Sequence, residues 1–405
     1  MRIEGQGIGV PMVRRWLSRA AAALLWVCLA SGFAAGAGQP HYLVTHYLVT
    51  NDDVPFGNSV SFYTVGANGL LTLKEQVITG GWGTGGGYFG ANRINVLSGG
   101  NDECVYASDG STGDIAGIDV STLQLAGTTS GSGTDTGISN GIGLAMNSQY
   151  LYASFTDSST IGTFQVQPGC TLTFVNDVSV AGLQAGIVDG MAVSGNMLVV
   201  TYGDGSIESF NIASGTPVSN GDEQNSTAYV AAQGATYPTS VEITEDGHYA
   251  LFGDTATSTT VEVSDISSGA LSKTVVNSLG TAINSSNILL SPDETLLYIS
   301  NTQGDEITAA FFGKSTGKLS AGCASPGLRG YSSKWSYLAG LTLDTNTGTG
   351  GVVYVAEFGS TSYIGIVEVS STGGKCTLAE SPGSPVLDSA SVGLLSIGTF
   401  PPRSF

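Results

Sequence analysis

Charged side chains are scarce in this sequence, and basic ones are the rarer kind. Of its 405 residues, 13 are Lys or Arg and 32 are Asp or Glu, which gives a formal net charge of −19. Such an acidic chain repels the phosphates of nucleic acids and the headgroups of anionic lipids. We therefore expect no nucleic-acid partner, and we interpret the charge as solubility outside the cell.

Residues that usually perform catalysis are also few. Only three histidines occur, and their positions give no credible Ser-His-acid set. No cysteines stand at zinc-binding spacing, and the glycine-rich segment TGGWGTGGG lacks the following Lys-Ser/Thr and the helix of a phosphate loop. We expect no metal and no cofactor, and the sequence leans towards a protein that is not an enzyme.

Long apolar runs are missing except near the N-terminus. Arg14, Arg15 and Arg19 precede an apolar segment at 20–30, which is too short to span a bilayer comfortably, and Ala35-Gly36-Ala37 is a good cleavage site. The sequence predicts a signal peptide over 1–37, cleaved after Ala37, with translation starting at Met1 or Met12. The protein is then secreted or periplasmic, with no membrane span. Its mature chain keeps 9 of the 13 basic and 31 of the 32 acidic residues, a net charge of about −22.

Glycine, serine and threonine are abundant, with 59 glycines alone, and they suit many short strands joined by tight turns. The segment 291–320 shows one such unit clearly, with three turns separating short apolar strands. Related second strands recur at spacings of 46 to 58 residues, which is the range of propeller blades. Their central positions are Leu48, Tyr106, Tyr152, Val199, Leu251, Tyr298 and Tyr354.

Candidate innermost strands precede six of these seven positions, and the first unit lacks one. The last segment, 391–400, reads as an innermost strand with no unit after it. A C-terminal strand that completes the first blade would close the ring and remove the exposed sheet edges. The fold class is therefore predicted as all-β, a seven-bladed β-propeller of four-stranded antiparallel blades, forming a single domain over 38–405.

Four cysteines remain in the mature chain, and an oxidising compartment favours one or two disulfides. Cys104 is predicted to begin a second strand and Cys170 a fourth strand of the adjacent blade. Both positions fall on the same face of the ring, so a disulfide between Cys104 and Cys170 is our hypothesis.

Two strands, Tyr47-Leu48-Val49-Thr50-Asn51 and Tyr298-Ile299-Ser300-Asn301, resemble the repeat of YVTN-type propellers. With SPDE at 291–294 and STGKL at 315–319, the mature chain resembles the lactonase-type, 6-phosphogluconolactonase-like propeller superfamily. That resemblance implies the propeller fold. Lactonase-type members carry His and Arg in the innermost strands and nearby loops, whereas the innermost strands here hold no histidine, and His248 is predicted on the opposite face.

Two connections between blades are unusually long and lie on the face where propellers commonly bind ligands. They span 79–95 and 323–339 and are rich in aromatic and basic residues. Aromatic rings beside arginine suit stacking on sugars or flat ligands, although large aromatics often bury themselves instead. The candidate ligand-binding residues are Trp82, Tyr88, Arg93, Arg329, Tyr331, Lys334, Trp335 and Tyr337.

Acidic residues follow the second strand in nearly every blade, among them Asp52, Asp109, Asp204, Asp254 and Glu357. A ring of carboxylates on one face could attract Ca²⁺ or a basic partner. Because no 12-residue calcium loop is present and Asp is common in turns, we favour a role in turn structure.

The sequence thus favours a secreted, non-catalytic propeller that binds or scaffolds, expected to be a monomer, with a small molecule, a glycan or a protein as its ligand. The alternative is a lactonase-like hydrolase acting on a sugar or small lactone through Arg93, Arg329 and acidic loop residues.

Overall fold

The computed structural model describes 46–66, 69–85, 94–99, 102–131, 142–156, 158–255, 260–279, 285–301, 304–330, 337–344, 351–359, 361–394 and 396–400. The predicted signal peptide lies outside these residues. Within them the secondary structure is almost entirely β. No helix in this part of the chain is long and apolar enough to cross a membrane.

Strands follow one another as consecutive antiparallel meanders, and each meander forms one sheet, which we call a blade. Blade 1 takes β1 (Tyr47–Asn51), β2 (Ser59–Val65) and β3 (Leu71–Ile78). Blade 2 has β4 (Ile94–Gly99), β5 (Asp102–Asp109), β6 (Asp114–Asp119) and β7 (Gln124–Ser130). Blade 3 has β8 (Ile142–Met146), β9 (Tyr150–Phe155), β10 (Thr160–Gln167) and β11 (Thr171–Ser179).

Blade 4 has two short strands at its outer edge and is followed by a helix. Its strands are β12 (Val188–Ser194), β13 (Met197–Tyr202), β14 (Ser206–Asn211), β15 (Val218–Ser219) and β16 (Gln224–Asn225). The helix α1 (Thr227–Ala231) leads into blade 5, with β17 (Pro238–Ile243), β18 (Tyr249–Asp254), β19 (Thr260–Asp265) and β20 (Val275–Ser278).

Blade 6 has β21 (Ser285–Leu290), β22 (Leu296–Asn301), β23 (Ile307–Gly313) and β24 (Lys318–Ala324). Blade 7 has β25 (Tyr337–Asp344), β26 (Val352–Phe358), β27 (Ser362–Thr372), β28 (Lys375–Glu380) and the short β29 (Val386–Asp388), which pairs with β27. The predicted innermost strands correspond to β4, β8, β12, β17, β21 and β25.

The C-terminal strand β30 (Ile397–Phe400) pairs antiparallel with β1, so blade 1 has the order β3-β2-β1-β30. This confirms the predicted seven-bladed propeller and its closure. The ring is closed because β1 and β30, from opposite ends of the described chain, belong to the same sheet, which gives blade 1 four strands.

The core is divided among the contacts between neighbouring blades. Seven apolar clusters, one per neighbouring pair, fill these contacts. Second strands are buried on both sides, as in β1, where all five residues are buried. Outer strands such as β3 have only one face against a neighbour and are mostly exposed. This explains why second strands read as continuous apolar runs in the sequence.

Two disulfides join neighbouring blades. Cys104 in β5 is bonded to Cys170 in the turn before β11, with the Cα atoms 5.3 Å apart, and this is the pair proposed from the sequence. Cys323 in β24 is bonded to Cys376 in β28, with a Cα separation of 5.7 Å. The sequence predicted no partner for either of these two cysteines. The outer strands β24 and β28 of neighbouring blades bring the two sulfurs together.

Candidate functional site

Antiparallel pairing places the turn between the second and third strands of each blade on the same side of the ring as the connection to the next blade. We call this side the connector face. All predicted ligand-binding residues belong to two of its connections, from blade 1 to blade 2 and from blade 6 to blade 7.

Trp82 is exposed on the connector face and contacts a second exposed aromatic residue. Its side chain is 45% exposed, and Phe56 in the β1–β2 turn is 80% exposed. The two ring centroids are 5.1 Å apart in an edge-to-face arrangement. Among the residues that the structure describes, these are the only Phe, Trp or Tyr side chains that are largely exposed to solvent. Their contact is therefore a distinctive feature of the surface.

The backbone around Phe56 adopts a conformation that a bulky residue rarely takes. Phe56 has φ of +63°, in the left-handed region, and the following Gly57 has φ of +156°. A left-handed backbone costs an ordinary residue roughly 1–2 kcal/mol, so an exposed Phe here is maintained against a local energetic preference. The Phe56 ring is therefore exposed at a backbone position that does not favour a bulky side chain.

Two hydrogen bonds to the Asp53 carboxylate hold together the loops that carry the aromatic pair. Asp53 accepts hydrogen bonds from the Thr84 backbone N–H and hydroxyl, both at 2.7 Å, which ties the β1–β2 turn to the long connection. Gly83 donates its N–H to the Val54 carbonyl at 2.9 Å. A Cβ on Gly83 would lie 2.1 Å from the Asp53 carbonyl carbon, so only glycine permits this approach.

Arg329 is the other predicted ligand contact whose side chain the structure places. It forms an ion pair with Glu380, with Nε 3.0 Å from Oε2, and it donates a hydrogen bond to the Ser381 carbonyl. These contacts bind the connection from blade 6 to blade 7 onto blade 7. Although its side chain is 51% exposed, the guanidinium is already paired with a carboxylate.

Of the other six predicted ligand-binding residues, only one lies among the described residues. Tyr337 is the first residue of β25. Tyr88, Arg93, Tyr331, Lys334 and Trp335 lie outside the described residues. Trp82 and Arg329 belong to connections separated by blades 7 and 1, so the structure brings Trp82 to Phe56 and Arg329 to Glu380.

The acidic residues that follow the second strands are mainly internal. Asp52 is buried and accepts hydrogen bonds from Thr50, Ser59 and Ser61 at 2.6 to 2.8 Å. Burial, with the charge of Asp388, raises its pKa to about 6 despite these bonds. Asp109 accepts hydrogen bonds from Asn58 and Thr79 of the preceding blade, and burial raises its pKa to about 6.

Two further carboxyls have stronger shifts. Burial and the nearby Glu262 charge hold the pKa of Asp254 well above its usual range. Glu262 accepts hydrogen bonds from the Thr227 and Ala228 backbone N–H groups at the start of α1. Glu357 is 1% exposed, and burial beside Glu380 raises its pKa to about 8. Asp52, Asp109 and Glu262 thus accept hydrogen bonds from residues in or beside turns and connections. The described residues contain no cluster of three metal-ligating side chains.

Histidine is absent from all seven innermost strands, and His248 lies in the turn between β17 and β18, on the face opposite the connector face. The site residue that sequence reasoning missed is Phe56. The signal available was an apolar residue enclosed by Pro55 and Gly57 in a turn, where no strand can bury it.

Comparison with solved structures finds two similar propellers from Bacteroides. One, named a putative 6-phosphogluconolactonase from Bacteroides uniformis, is 15% identical with a TM-score of 0.67, covering 88% of this chain and 99% of its own. The other, from Bacteroides fragilis with the same name, is 14% identical with a TM-score of 0.65, covering 89% of this chain and 99% of its own. The chain shares its β-propeller fold with these two structures.

No protein-family model matches the chain, and the comparison with curated proteins finds no match. At 14 to 15% identity the two Bacteroides structures establish the fold alone.

Proposed function

We propose that this protein is a secreted, non-catalytic β-propeller that binds a ligand on its connector face through Phe56 and Trp82. The observation that carries the proposal is the pair of exposed rings in contact, with Phe56 in a strained backbone conformation. Residues in unfavourable backbone conformations cluster at functional sites, because selection for function can retain a conformation that lowers stability.

The ligand class that fits this pair is a carbohydrate. Sugar rings have apolar faces that pack on aromatic side chains, and they need no charged partner. Two threonine hydroxyls lie in adjoining loops. Thr84 donates its hydroxyl to Asp53, and the Thr112 hydroxyl accepts a hydrogen bond from the Trp82 backbone N–H at 3.2 Å, so each oxygen can still accept a hydrogen bond from a sugar hydroxyl. The contacts of Arg329 with Glu380 make a directly recognised anionic group a weaker fit.

Trp82→Ala and Phe56→Asn are each expected to weaken carbohydrate binding roughly fivefold or more, since a stacked ring contributes roughly 1–3 kcal/mol. Asn removes the ring while tolerating the left-handed backbone, so the turn is retained. A glycan array identifies the ligand, and titration calorimetry on the best glycan measures the loss.

Leu73→Ala is the matched control, because Leu73 is an exposed apolar residue on the outer strand of the same blade. It is expected to bind like the parent protein. Unchanged affinity in both ring variants, with a glycan that the parent protein binds, would contradict the site.

The names of the two Bacteroides structures raise lactone hydrolysis as the second candidate function. A panel of sugar and aliphatic lactones separates the two. Turnover by the parent protein that Arg329→Ala abolishes would favour the hydrolase, whereas the binding proposal expects no turnover above the uncatalysed rate.

A further inference from the structure

A cavity of about 270 Å³ lies between blades 6 and 7, on the face opposite the connector face. Its apolar wall comes from Leu296 of β22, Leu343 of β25 and Val369 of β27, all of them buried. Its polar groups are the Tyr298 ring with its hydroxyl, the β21–β22 turn with Asp293, and Ser371 near the end of β27. None of these residues takes part in the site described above.

Two equivalent tyrosines elsewhere in the ring show what this position usually does. Tyr152 of blade 3 donates its hydroxyl to the Gly215 carbonyl, and Tyr354 of blade 7 donates its hydroxyl to the Gly69 carbonyl, both at 2.9 Å. Each glycine lies in the turn between the third and fourth strands of the next blade and has a positive φ. The tyrosine hydroxyl thus fastens one blade to the next.

Tyr298 of blade 6 lacks that contact because the corresponding turn of blade 7 has a different shape. The strand β27 continues to Thr372, which pairs with Lys375, so the hairpin closes with only Gly373 and Gly374 between them. Both glycines have positive φ, as a two-residue hairpin turn requires. Among the described residues, this tight turn makes no hydrogen bond to Tyr298, and the cavity lies beside the end of β27 at Ser371.

The hydroxyl of Tyr298 has no hydrogen-bond partner among the described residues. The side chain is only 2% exposed, yet it lines the cavity. A hydroxyl in this position is available to donate to a water molecule or to a ligand in the cavity. Burial, reinforced by the charge of Asp293, raises the pKa of Tyr298, which keeps its hydroxyl protonated and able to donate.

Asp293 supplies a fixed negative charge at the cavity rim. Its Oδ1 accepts hydrogen bonds from the Ser291 hydroxyl at 2.7 Å and from the Thr295 hydroxyl and backbone N–H at 2.9 and 3.1 Å. Burial opposes its ionisation, but these bonds outweigh burial and lower its pKa. The carboxylate is ionised at neutral pH, and the acidic surface of the whole protein further concentrates cations nearby.

We propose that this cavity binds a small organic cation. The ammonium group of this ligand pairs with Asp293, and an oxygen atom of the ligand accepts a hydrogen bond from the Tyr298 hydroxyl. Its short aliphatic chain packs on Leu296, Leu343 and Val369. The volume lies at the lower end of ligand pockets, which limits the occupant to a small molecule. The site is independent of the aromatic pair at the connector face, so either proposal can fail without the other.

The probe is 4-amino-1-butanol, and its neutral isostere 1,4-butanediol is the matched control ligand. Ligand-observed NMR titration is expected to show saturable binding of the amine, with 1,4-butanediol at least tenfold weaker. Asp293→Asn keeps the acceptor for Ser291 and Thr295 but removes the charge, and Tyr298→Phe removes only the hydroxyl. Each variant is expected to weaken amine binding at least tenfold.

A stability measurement distinguishes this site from a merely structural tyrosine. Tyr354→Phe and Tyr152→Phe lose a buried hydrogen bond and are expected to lower the midpoint of thermal unfolding by roughly 2–4 °C. Tyr298→Phe is expected to leave that midpoint unchanged. The proposal is overturned if the parent protein shows no saturable amine binding, if both variants bind like the parent, or if Tyr298→Phe destabilises as much as Tyr354→Phe.

Discussion

Replacing Cys104 and Cys170 together by alanine is expected to lower the free energy of unfolding by about 4 kcal/mol. The two residues are 66 positions apart in the chain, and a cross-link of that length removes considerable entropy from the unfolded state. Both side chains are buried at the contact between blades 2 and 3, so alanine also loses some packing. Denaturant unfolding of the oxidised proteins, followed by tryptophan fluorescence, measures the difference.

Cys323→Ala with Cys376→Ala provides the comparison. Its loop is of similar length, with a separation of 53, but both residues lie on outer strands that are partly exposed. We expect a loss of similar size from the entropy and little from packing. Four free thiols by intact mass, or a Cys104/Cys170 variant that unfolds at the parent's denaturant concentration, would disprove the disulfide between blades 2 and 3.

The second large effect is a pH dependence of stability opposite to that of most proteins, with unfolding requiring more free energy at pH 5 than at pH 9. Asp52 and Asp109 have pKa values raised to about 6, Glu357 has one raised to about 8, and that of Asp254 is also raised. Between the unfolded values near 4 and these folded values, the native state binds more protons than the unfolded state. Stability is therefore highest near pH 4 to 5 and falls as pH rises through about 6 and then about 8.

Glu357→Gln tests this pH dependence directly. Glutamine resembles the protonated carboxyl, so the substitution is expected to change little at pH 5 and to raise the free energy of unfolding by a few kcal/mol at pH 9. Thermal and denaturant unfolding at both pH values give the answer. A variant whose stability differs from the parent's by the same amount at both pH values would contradict the role of this titration.

Asp204→Asn is the matched control with the opposite sign. Burial raises the pKa of Asp204, but hydrogen bonds from Ser206, Gln184 and Gly186 outweigh it and lower the pKa. Its carboxylate is the form that folding favours, so the contribution of Asp204 is present at neutral pH and is lost as pH falls below about 4. The Asn variant is therefore expected to be less stable than the parent at both pH 5 and pH 9.

The fold could be predicted from the sequence because a propeller repeats a local pattern. The strand centred on Tyr298 and the turn at 291–294 recur along the chain, and a four-stranded meander cannot bury both faces without neighbours of its own kind. Closure followed from the missing first strand and the surplus strand at 391–400. Periodicity and turn chemistry carry this information within short stretches of sequence.

The candidate site could be predicted only in part. Trp82 was identified because a tryptophan in a long glycine-rich connection stands out, but its partner Phe56 belongs to a different turn, 26 positions earlier. Arg329 looked available for a ligand, and the structure pairs it with Glu380, which is 51 positions later. Sequence shows which side chains are present, while contacts between loops depend on how adjacent blades are placed.

The carboxyl groups show most clearly the difference between what the sequence predicts and what depends on tertiary packing. An acidic residue after each second strand is visible in the sequence, and a role in turns follows from its chemistry. Whether that carboxyl faces solvent or is enclosed by the preceding blade, as Asp109 is by Asn58 and Thr79, depends on packing. The sequence alone determined the blades, their number and the closure of the ring, because these depend on local patterning. Only the tertiary structure decided the exposed aromatic pair, the raised pKa values and the cavity at Tyr298, because these arise where separate blades meet.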